Sequence, residues 1–350
     1  MEPAGAPPSL VRQIADVGAA DVASVGGKAA GLGELARAGL RVPGGYVVTA
    51  EAFGHALAGL DPDGSLRARI EQLPPGDLAA LGRAAAGLRD LIAAAALPPE
   101  LAGQITAAHR ELDAAAVAVR SSATGEDSPE ASFAGLQDTY LAVLGADAVL
   151  DRVRSCWASL YNDESVAYRR RLGLPGHGLA MGVVVQRMVS PRAAGVMFTR
   201  SPVTGDRSVV AIEGTWGLGS ALVAGEVTPD NFTVSKVTGE ITGRRVGTKL
   251  RLHSVMPNGP GVTARDTPAD LRGRPCLTDD EARALAQVAR QVEQHFGTPQ
   301  DIEWALLDDD GIVLLQSRPE TVWAARDRAP AASPKPRASD HVLSRLGKPL

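Results

Sequence analysis

The sequence predicts an α+β protein with two lobes, each carrying its own hydrophobic core. Three observations support this fold class. The chain has 350 residues, 45% of them hydrophobic, which is long enough for two core-bearing lobes. Residues 54–115 are rich in Ala and Leu at helical spacing. From Met181 onward the chain consists largely of short apolar runs separated by Gly, Pro and Asp, as expected for strands.

The first strong element is a helix at residues 28–38 that follows a glycine turn. In the stretch SVGGKAAGLGELARAGLRVPGGYVVTA, Gly26 and Gly27 form the turn, Gly39 ends the helix, and YVVTA predicts a short strand. Backbone N–H groups at a helix N-terminus attract anions, and Lys28 adds a positive charge. The turn is therefore a candidate phosphate site. The alternative is a glycine turn that only allows close helix packing.

Residues 54–115 predict two or three helices that act as scaffold. The segment contains no aromatic residue, and its apolar positions recur as in helices that pack on one face. The predicted buried faces are Leu78, Leu81, Ala85, Leu88 and Ile92 in one helix, and Leu101, Ile105 and Leu112 in the next.

A polar cluster follows at the end of a predicted strand. The stretch AVRSSATGED opens on apolar residues and continues with Arg120, Ser121, Ser122 and Thr124. A guanidinium and hydroxyl groups at a strand end suit the binding of phosphate oxygens. Ser and Thr also cap helices and turns, which is the alternative. One further helix is predicted over residues 147–171.

The second half of the chain is predicted to be mostly strands. The runs MGVVVQRMV, AAGVMFT, SVVAIEG, NFTVSK and EITGRRVG are separated by turn residues. The loop EGTWGLGSALVAGEVTPDNF is a third candidate phosphate loop, because long loops tend to carry function. A mobile surface loop is the alternative. A helix is predicted over residues 279–296, before a final pair of strands.

The final pair of strands, in DIEWALLDDDGIVLLQSRPE, predicts a hairpin with a defined register. If Leu307 faces Ile312, paired residue numbers sum to 619. Directly opposed side chains then lie roughly 5 Å apart, and alternate residues share one face of the sheet. The core face is predicted to contain Ile302, Trp304, Val313 and Leu315.

The other face of this hairpin predicts a metal site. The register places Glu303 opposite Gln316 and Asp301 opposite Arg318. Oxygen ligands of this kind suit Mg²⁺, which uses one or two protein ligands and phosphate oxygens. The Arg318 guanidinium suits the phosphates that such a metal would bridge. The alternative is an ordinary solvent-facing hairpin with polar cross-strand pairs.

Composition excludes several classes of protein. The formal net charge of −4 argues against a general nucleic-acid binder. The two cysteines, Cys156 and Cys276, lie far apart, which argues against a disulfide framework or a zinc site. The N-terminal residues do not form a signal-peptide pattern, and the longest apolar runs are too short to cross a membrane. These features predict a cytoplasmic protein without nucleic-acid or membrane partners.

Seven motifs together resemble a known family. The chain is similar to the ATP-binding region shared by phosphoenolpyruvate synthase, pyruvate phosphate dikinase and rifampicin phosphotransferase. The resemblance covers about residues 25–322. The motifs, in order, are GGKAAGLGEL, VPGGYVVT, VRSSATGEDSPEASFAGLQDTYL, GVVVQRMV, AGVMFTRSPVTGD, EGTWGLGSALVAGEVTPD and DIEWAL with LLQSRPET.

The resemblance implies an ATP-grasp fold with the nucleotide in a cleft between the two lobes. Residues 1–190 would form the N-terminal lobe with the helical segment 54–115, residues 191–325 the C-terminal lobe, and residues 326–350 a flexible tail. ATP and Mg²⁺ are the implied cofactors. The implied phosphate-binding and catalytic residues are Lys28, Arg120 and Arg318; the other nucleotide-binding residues are Gly135, Thr139 and Gln186; the metal ligands are Glu303 and Gln316.

Relatives in this family cleave ATP to AMP and phosphate and place the β-phosphoryl group on a histidine. None of the six histidines here lies in such a phosphohistidine signature: His55, His109, His177, His253, His295 and His341. Three hypotheses follow. In the first hypothesis, the chain is the nucleotide-binding subunit of a dikinase whose histidine is on a separate partner. In the second, it is a stand-alone kinase acting on a small molecule such as an antibiotic. In the third hypothesis it is a nucleotide-binding regulator without turnover.

Overall fold

The computed structural model describes residues 9–324, apart from residues 75, 124–126, 129–130, 133–137, 172–179, 258 and 310. The predicted tail, residues 326–350, lies outside the described residues. The described chain is mixed α/β with antiparallel sheets. The helices are α1 Val22–Arg37, α2 Ala50–Leu60, α3 Ser65–Gln72, α4 Leu78–Ala94, α5 Pro99–Leu112, α6 Ala146–Ser159, α7 Asp163–Arg171, α8 Ser220–Val223, α9 Ala269–Arg272 and α10 Asp279–Phe296.

The strands form two larger sheets and two isolated hairpins. They are β1 Val11–Gln13, β2 Gly45–Val48, β3 Val117–Ala123, β4 Asp127–Ser128, β5 Ala131–Ser132, β6 Thr139–Val143, β7 Met181–Arg187, β8 Ala193–Phe198, β9 Val209–Trp216, β10 Asp230–Ser235, β11 Ile241–Arg245, β12 Arg251–Val255, β13 Val262–Asp266, β14 Gln300–Leu306 and β15 Ile312–Pro319. The first sheet has the order β1-β2-β7-β3-β6 and the second the order β11-β10-β9-β8-β14-β15. The isolated hairpins are β4–β5 and β12–β13.

The first sheet is buried on both faces. Its strands read as near-continuous apolar runs for this reason, because successive side chains point to opposite faces. Val183 and Val185 of β7 belong to the core shared with helices α2 and α4–α6. Val184, between them, packs with Val47 in a second core under α1. Helix α1 and the helical segment therefore cover opposite faces of this sheet.

The second sheet packs its core face against α10. Thr278 begins this helix: its hydroxyl accepts a hydrogen bond from Glu281 N, and the Glu281 carboxylate accepts one from Thr278 N. This reciprocal cap satisfies two backbone donors that the helix leaves free, and Gly297, with φ +69°, ends the helix. The bounds confirm the predicted helix over residues 279–296. Its buried stripe is Ala282, Leu285, Ala286, Ala289 and Val292.

Helix α1 lies between the two sheets and contacts both. Leu32 packs in the core under the first sheet, and Leu35, three residues later, packs in the core of the second sheet. Gly31 faces β15 so closely that an added Cβ would lie 3.1 Å from the Ser317 carbonyl oxygen. The position of α1 fixes the glycine turn relative to the last hairpin.

The helical predictions are correct in type but not in number. Residues 54–115 contain α3, α4, α5 and most of α2, more than the two or three helices predicted. Most predicted core positions are buried, but Leu78 is 66% exposed because it is the first residue of α4. The single helix predicted at 147–171 is wrong: the chain turns between α6 and α7, where Tyr161 N bonds to Ala158 O.

The β12–β13 hairpin was not predicted. Its strands read RLHSV and VTARD, so charged residues interrupt the alternation that marks a half-buried strand.

The described residues contain no single helix that is long and apolar enough to cross a membrane. The bent pair α4 and α5 passes that test together, on length and composition only.

Candidate functional site

The candidate site begins at the glycine turn inside α1. Gly26 has φ +77° and interrupts the helix, and an added Cβ would lie 2.0 Å from the Ser122 carbonyl oxygen. Only glycine fits this conformation and this approach. Ala29 N donates to Ser122 Oγ at 3.2 Å, so the turn is tied to the end of β3. Lys28 lies in this turn and is half-buried. The predicted turn is confirmed, although the helix starts earlier, at Val22.

Arg120 connects the two sheets. It lies in β3 of the first sheet, and its Nη2 lies 3.0 Å from Glu303 Oε2 and 2.5 Å from Gln316 Oε1 in the hairpin of the second sheet. Its Nη1 donates to the Leu315 carbonyl oxygen at 2.9 Å. The side chain is only 12% exposed. Three residues predicted from distant segments, one for phosphate and two for metal, therefore meet at one point.

The register of the β14–β15 hairpin is confirmed at the polar end and wrong at the turn end. Glu303 pairs with Gln316, as predicted, but Leu306 rather than Leu307 faces Ile312. A β-bulge at Leu315 reconciles the two registers, because one extra residue on β15 shifts the pairing by one.

The same bulge changes the predicted core face. Leu314 rather than Leu315 pairs with Trp304 and packs in the core of the second sheet. Val313 pairs with Ala305 rather than with Leu306, and so lies on the opposite face from Trp304. Ile302, Trp304 and Val313 are buried as predicted, at 1%, 0% and 2% exposed, although Val313 is buried on the other face of the hairpin. The core prediction is wrong for Leu315, which is half-buried at the bulge.

Arg318 faces Asp301 across the same hairpin. The two residues are register partners, and Arg318 Nε lies 3.5 Å from Asp301 Oδ2. Burial raises the pKa of Asp301 to about 6, and the neighbouring Arg318 charge opposes this shift. Arg318 is 40% exposed. Its guanidinium is therefore held on one side by Asp301 while part of it stays open to a ligand.

The remaining predicted residues lie on the first sheet or outside the described part. Thr139 is the direct register partner of Arg120 and is exposed, so it shares the face of the sheet from which Arg120 extends. Gln186 is buried, and its amide donates to the Pro43 carbonyl oxygen at 3.3 Å. Gly135 and Thr124 lie outside the described residues.

The second Gly-rich loop packs against the β12–β13 hairpin. Gly217 and Leu218 form isolated bridges with His253, whose ring contacts Ser220 Oγ at 2.9 Å and Glu226 Oε2 at 3.2 Å. This loop is thus held by defined contacts and includes the short helix α8. Its predicted part in phosphate binding stays a prediction.

Asp230 and Lys249 anchor the end of this loop. Both are fully buried, and Lys249 Nζ lies 2.5 Å from Asp230 Oδ1. The second carboxylate oxygen of Asp230 accepts from Cys276 N at 2.7 Å. Because a buried ion pair needs such additional hydrogen bonds to offset desolvation, this pair fixes the start of β10 to two other segments.

Sequence reasoning did not identify Glu213 as a site residue. Glu213 pairs with Val196, which in turn pairs with Glu303, so the two carboxylates lie on one face of the second sheet, one strand apart. Burial raises the pKa of Glu213, and Arg245 opposes the shift. In SVVAIEG, Glu213 alternates with the apolar residues Val210 and Ile212, which is a signal for the face away from the core. Its neighbours on that face depend on the strand order, which the sequence does not show.

The site brings together a glycine-bounded helix turn, an arginine and converging oxygen ligands. Glu303 and Gln316 both contact one nitrogen atom of Arg120, so a single small cation could reach both oxygens. A carboxylate and an amide oxygen form a donor set that suits Mg²⁺. The residues present therefore fit the metal that the sequence predicted. This combination is typical of proteins that bind a nucleotide through its phosphates.

Comparison with known proteins also indicates a nucleotide-binding protein. Residues 22–339 match the family model described as pyruvate phosphate dikinase, AMP/ATP-binding domain, and the chain belongs to this family. It is 49% identical over 317 residues to a rifampicin phosphotransferase of Streptomyces sp, covering 89% of this chain and 36% of the relative.

A second relative carries a different name. The chain is 42% identical over 315 residues to a probable phosphoenolpyruvate synthase of Methanothermobacter thermautotrophicus, covering 87% of this chain and 45% of that protein. The chain thus spans less than half the length of these relatives.

Proposed function

We propose that this chain is the ATP-binding part of a phosphotransferase that cleaves ATP to AMP and phosphate. The observation that carries the proposal is the convergence of Arg120, Glu303 and Gln316 from two sheets, within the region that matches an AMP/ATP-binding domain. Phosphoryl transfer depends mainly on positioning and charge neutralisation, which such a cluster can supply. The intact cluster also argues against a regulator without turnover.

The residues of the site have complementary roles in this proposal. Lys28 at the helix turn, Arg120 and Arg318 bind phosphate oxygens. Glu303 and Gln316 would hold Mg²⁺, which would supply charge neutralisation of the phosphates. Asp301 orients Arg318 through the 3.5 Å contact.

The proposed fold is an ATP-grasp arrangement with the nucleotide in the cleft between two lobes. The lobe boundaries remain those predicted, residues 1–190 and 191–325. Thr139 and Gly135 would line the phosphate loop, because Thr139 lies directly beside Arg120 on the sheet. Gln186 would lie beside the adenosine.

The acceptor of the β-phosphoryl group is proposed to be a histidine on a separate carrier protein or domain. Among the described histidines, His253 and His295 are engaged with Glu226 and Glu34. His109 is half-buried, and burial lowers its pKa. These contacts support packing and surface roles. The cytoplasmic location expected from the sequence also stays a prediction.

A second candidate function is transfer to a small molecule such as an antibiotic. It is favoured by the 49% identity to a rifampicin phosphotransferase, against 42% to a probable phosphoenolpyruvate synthase. The two candidates share the ATP-binding step and differ in the final acceptor, which fold similarity does not identify.

Analysis of reaction products tests the proposal. The chain is incubated with ATP, Mg²⁺ and a separately expressed phosphohistidine domain from the same genome, and nucleotides are resolved by chromatography. AMP together with an acid-labile phosphoprotein is the expected result. Formation of ADP with a phosphorylated small molecule would instead support a stand-alone kinase. Tight ATP binding without turnover in any mixture would contradict both and support a regulator.

A further inference from the structure

Arg120 occupies the oxygen atoms that the proposed function assigns to a divalent cation. One of its nitrogens contacts both Glu303 Oε2 at 3.0 Å and Gln316 Oε1 at 2.5 Å. The guanidinium therefore neutralises the carboxylate and takes up lone pairs on both oxygens. The side chain expected to bind phosphate therefore contacts the two oxygens expected to bind the metal.

The hairpin is shaped to receive this guanidinium. Leu315 is the extra residue of the β-bulge, so it has no register partner on β14. Its carbonyl oxygen instead accepts a hydrogen bond from Arg120 Nη1 at 2.9 Å. Three acceptors on two adjoining strands thus surround one planar donor group, which is more than a simple ion pair requires.

We infer that Arg120 competes with the divalent cation for Glu303 and Gln316, so that the cation binds together with the nucleotide and not before it. This inference rests on the proposed function and adds an order of binding to it. In the nucleotide-free chain, Arg120 holds the two oxygens. The phosphate oxygens of ATP offer its guanidinium new acceptors, and its move to them frees Glu303 and Gln316 for the metal.

The contacts of Arg120 permit this exchange. Its Nε is buried and donates to no acceptor among the described residues, so one donor of the guanidinium is unpaired. The Glu303 side chain is 35% exposed and can be reached by a hydrated cation. Simultaneous occupancy is disfavoured, because two cations on one pair of oxygens repel each other at short range.

Binding of Mn²⁺ in the absence of nucleotide tests the inference. Free Mn²⁺ is measured by electron paramagnetic resonance during titration of the wild-type chain and the Arg120→Ala variant. We expect the variant to bind Mn²⁺ at least about tenfold more tightly, since the competing charge-assisted hydrogen bonds are gone. Adding Glu303→Gln to the variant should abolish the gain, which would locate the bound metal at this site.

Two further variants make the experiment decisive. Arg120→Met keeps the aliphatic packing of the side chain and is used if the alanine variant folds poorly. It should show the same increase in Mn²⁺ affinity. Arg244→Ala removes an arginine that pairs with Asp279 instead, and it should bind Mn²⁺ as the wild type does.

Two results would overturn the inference. One is an Arg120 variant that binds Mn²⁺ no more tightly than the wild type. The other is a wild type that binds Mn²⁺ as tightly without nucleotide as with a non-hydrolysable ATP analogue. The titration of the free chain uses no turnover, so a failure of the proposed reaction would not change its outcome.

Discussion

Two side chains of strand β3 make the contacts that assemble the site. Ser122 joins the glycine turn to β3 through its hydroxyl, and Arg120, two residues earlier, extends from the same strand to the second sheet. Alternation along a strand places Arg120 and Ser122 on the same face. One strand therefore positions both the phosphate-binding turn and the arginine that meets the metal ligands.

The first prediction concerns Lys28 and Arg120. Lys28→Ala and Arg120→Ala should each weaken binding of a non-hydrolysable ATP analogue by about 1.5–3 kcal/mol, the range for hydrogen bonds to a charged group. Neither substitution should unfold the protein, since neither side chain belongs to a hydrophobic core. Isothermal titration calorimetry measures the loss. Lys236→Ala is the matched control, because Lys236 pairs with Glu293 on α10. Unchanged affinity in both variants would remove them from the site.

At the scale of elements, the β14–β15 hairpin carries two different registers on its two halves. The bulge at Leu315 lets Glu303 face Gln316 while Trp304 pairs with Leu314 in the core. Without the bulge, one of these two requirements would fail, because a one-residue slip moves every side chain to the other face. The hairpin therefore serves packing and binding at once.

The second prediction concerns the oxygen ligands of this hairpin. Glu303→Ala and Gln316→Ala should each raise the Mg²⁺ concentration needed for tight ATP binding by about tenfold or more, because each removes an oxygen ligand. Titration of Mg²⁺ at a fixed concentration of the ATP analogue measures this shift.

A substitution on the apolar half of the hairpin is the control for this prediction. Ile312→Ala, at a half-buried position packed against the second core, should cost about 2 kcal/mol of stability or less. It should leave the Mg²⁺ requirement unchanged. An equal Mg²⁺ requirement in the Glu303 variant and the wild type would contradict the assignment.

The sequence predicts elements well where a local pattern dominates. Helix α10 follows from its capping residues and its stripe of apolar residues, both of which are local. The bulge could not be predicted, because residues 312–315 are all apolar and do not show which of them is the extra one. The β12–β13 hairpin is not predictable either, because its strands have too few apolar residues: Arg251 and Arg265 lie in strands with no apolar alternation.

The sequence predicts Arg120, Glu303 and Gln316 as site residues, but it predicts neither the contacts between them nor Glu213. The predicted pairing of Glu303 with Gln316 is correct, but it does not follow from the turn: the predicted turn register is wrong by one residue, and the bulge at Leu315 compensates for that error. The contact of Arg120 with Glu303 and Gln316 joins residues more than 180 positions apart and depends on how the two sheets are arranged around α1. Local periodicity holds no information about that arrangement.

At the scale of the whole molecule, α1 couples the two sheets. Its residues Leu32 and Leu35 belong to different cores, and its glycine turn contacts β3 while Gly31 faces β15. Arg120 adds a second connection from β3 to the hairpin. A ligand bound between these elements would contact both sheets and stabilise them together.

The last prediction follows from this coupling. A non-hydrolysable ATP analogue with Mg²⁺, at about 100 times its Kd, should stabilise the chain by about 2.7 kcal/mol and raise its Tm by about 4 °C in one transition. At the same concentration Lys28→Ala, whose affinity is expected to be weaker by more than about tenfold, should gain less than about 1.4 kcal/mol. Differential scanning calorimetry measures both shifts. Two separate transitions, of which the ligand moves only one, would contradict binding between the sheets, because a ligand held by both must unfold with both.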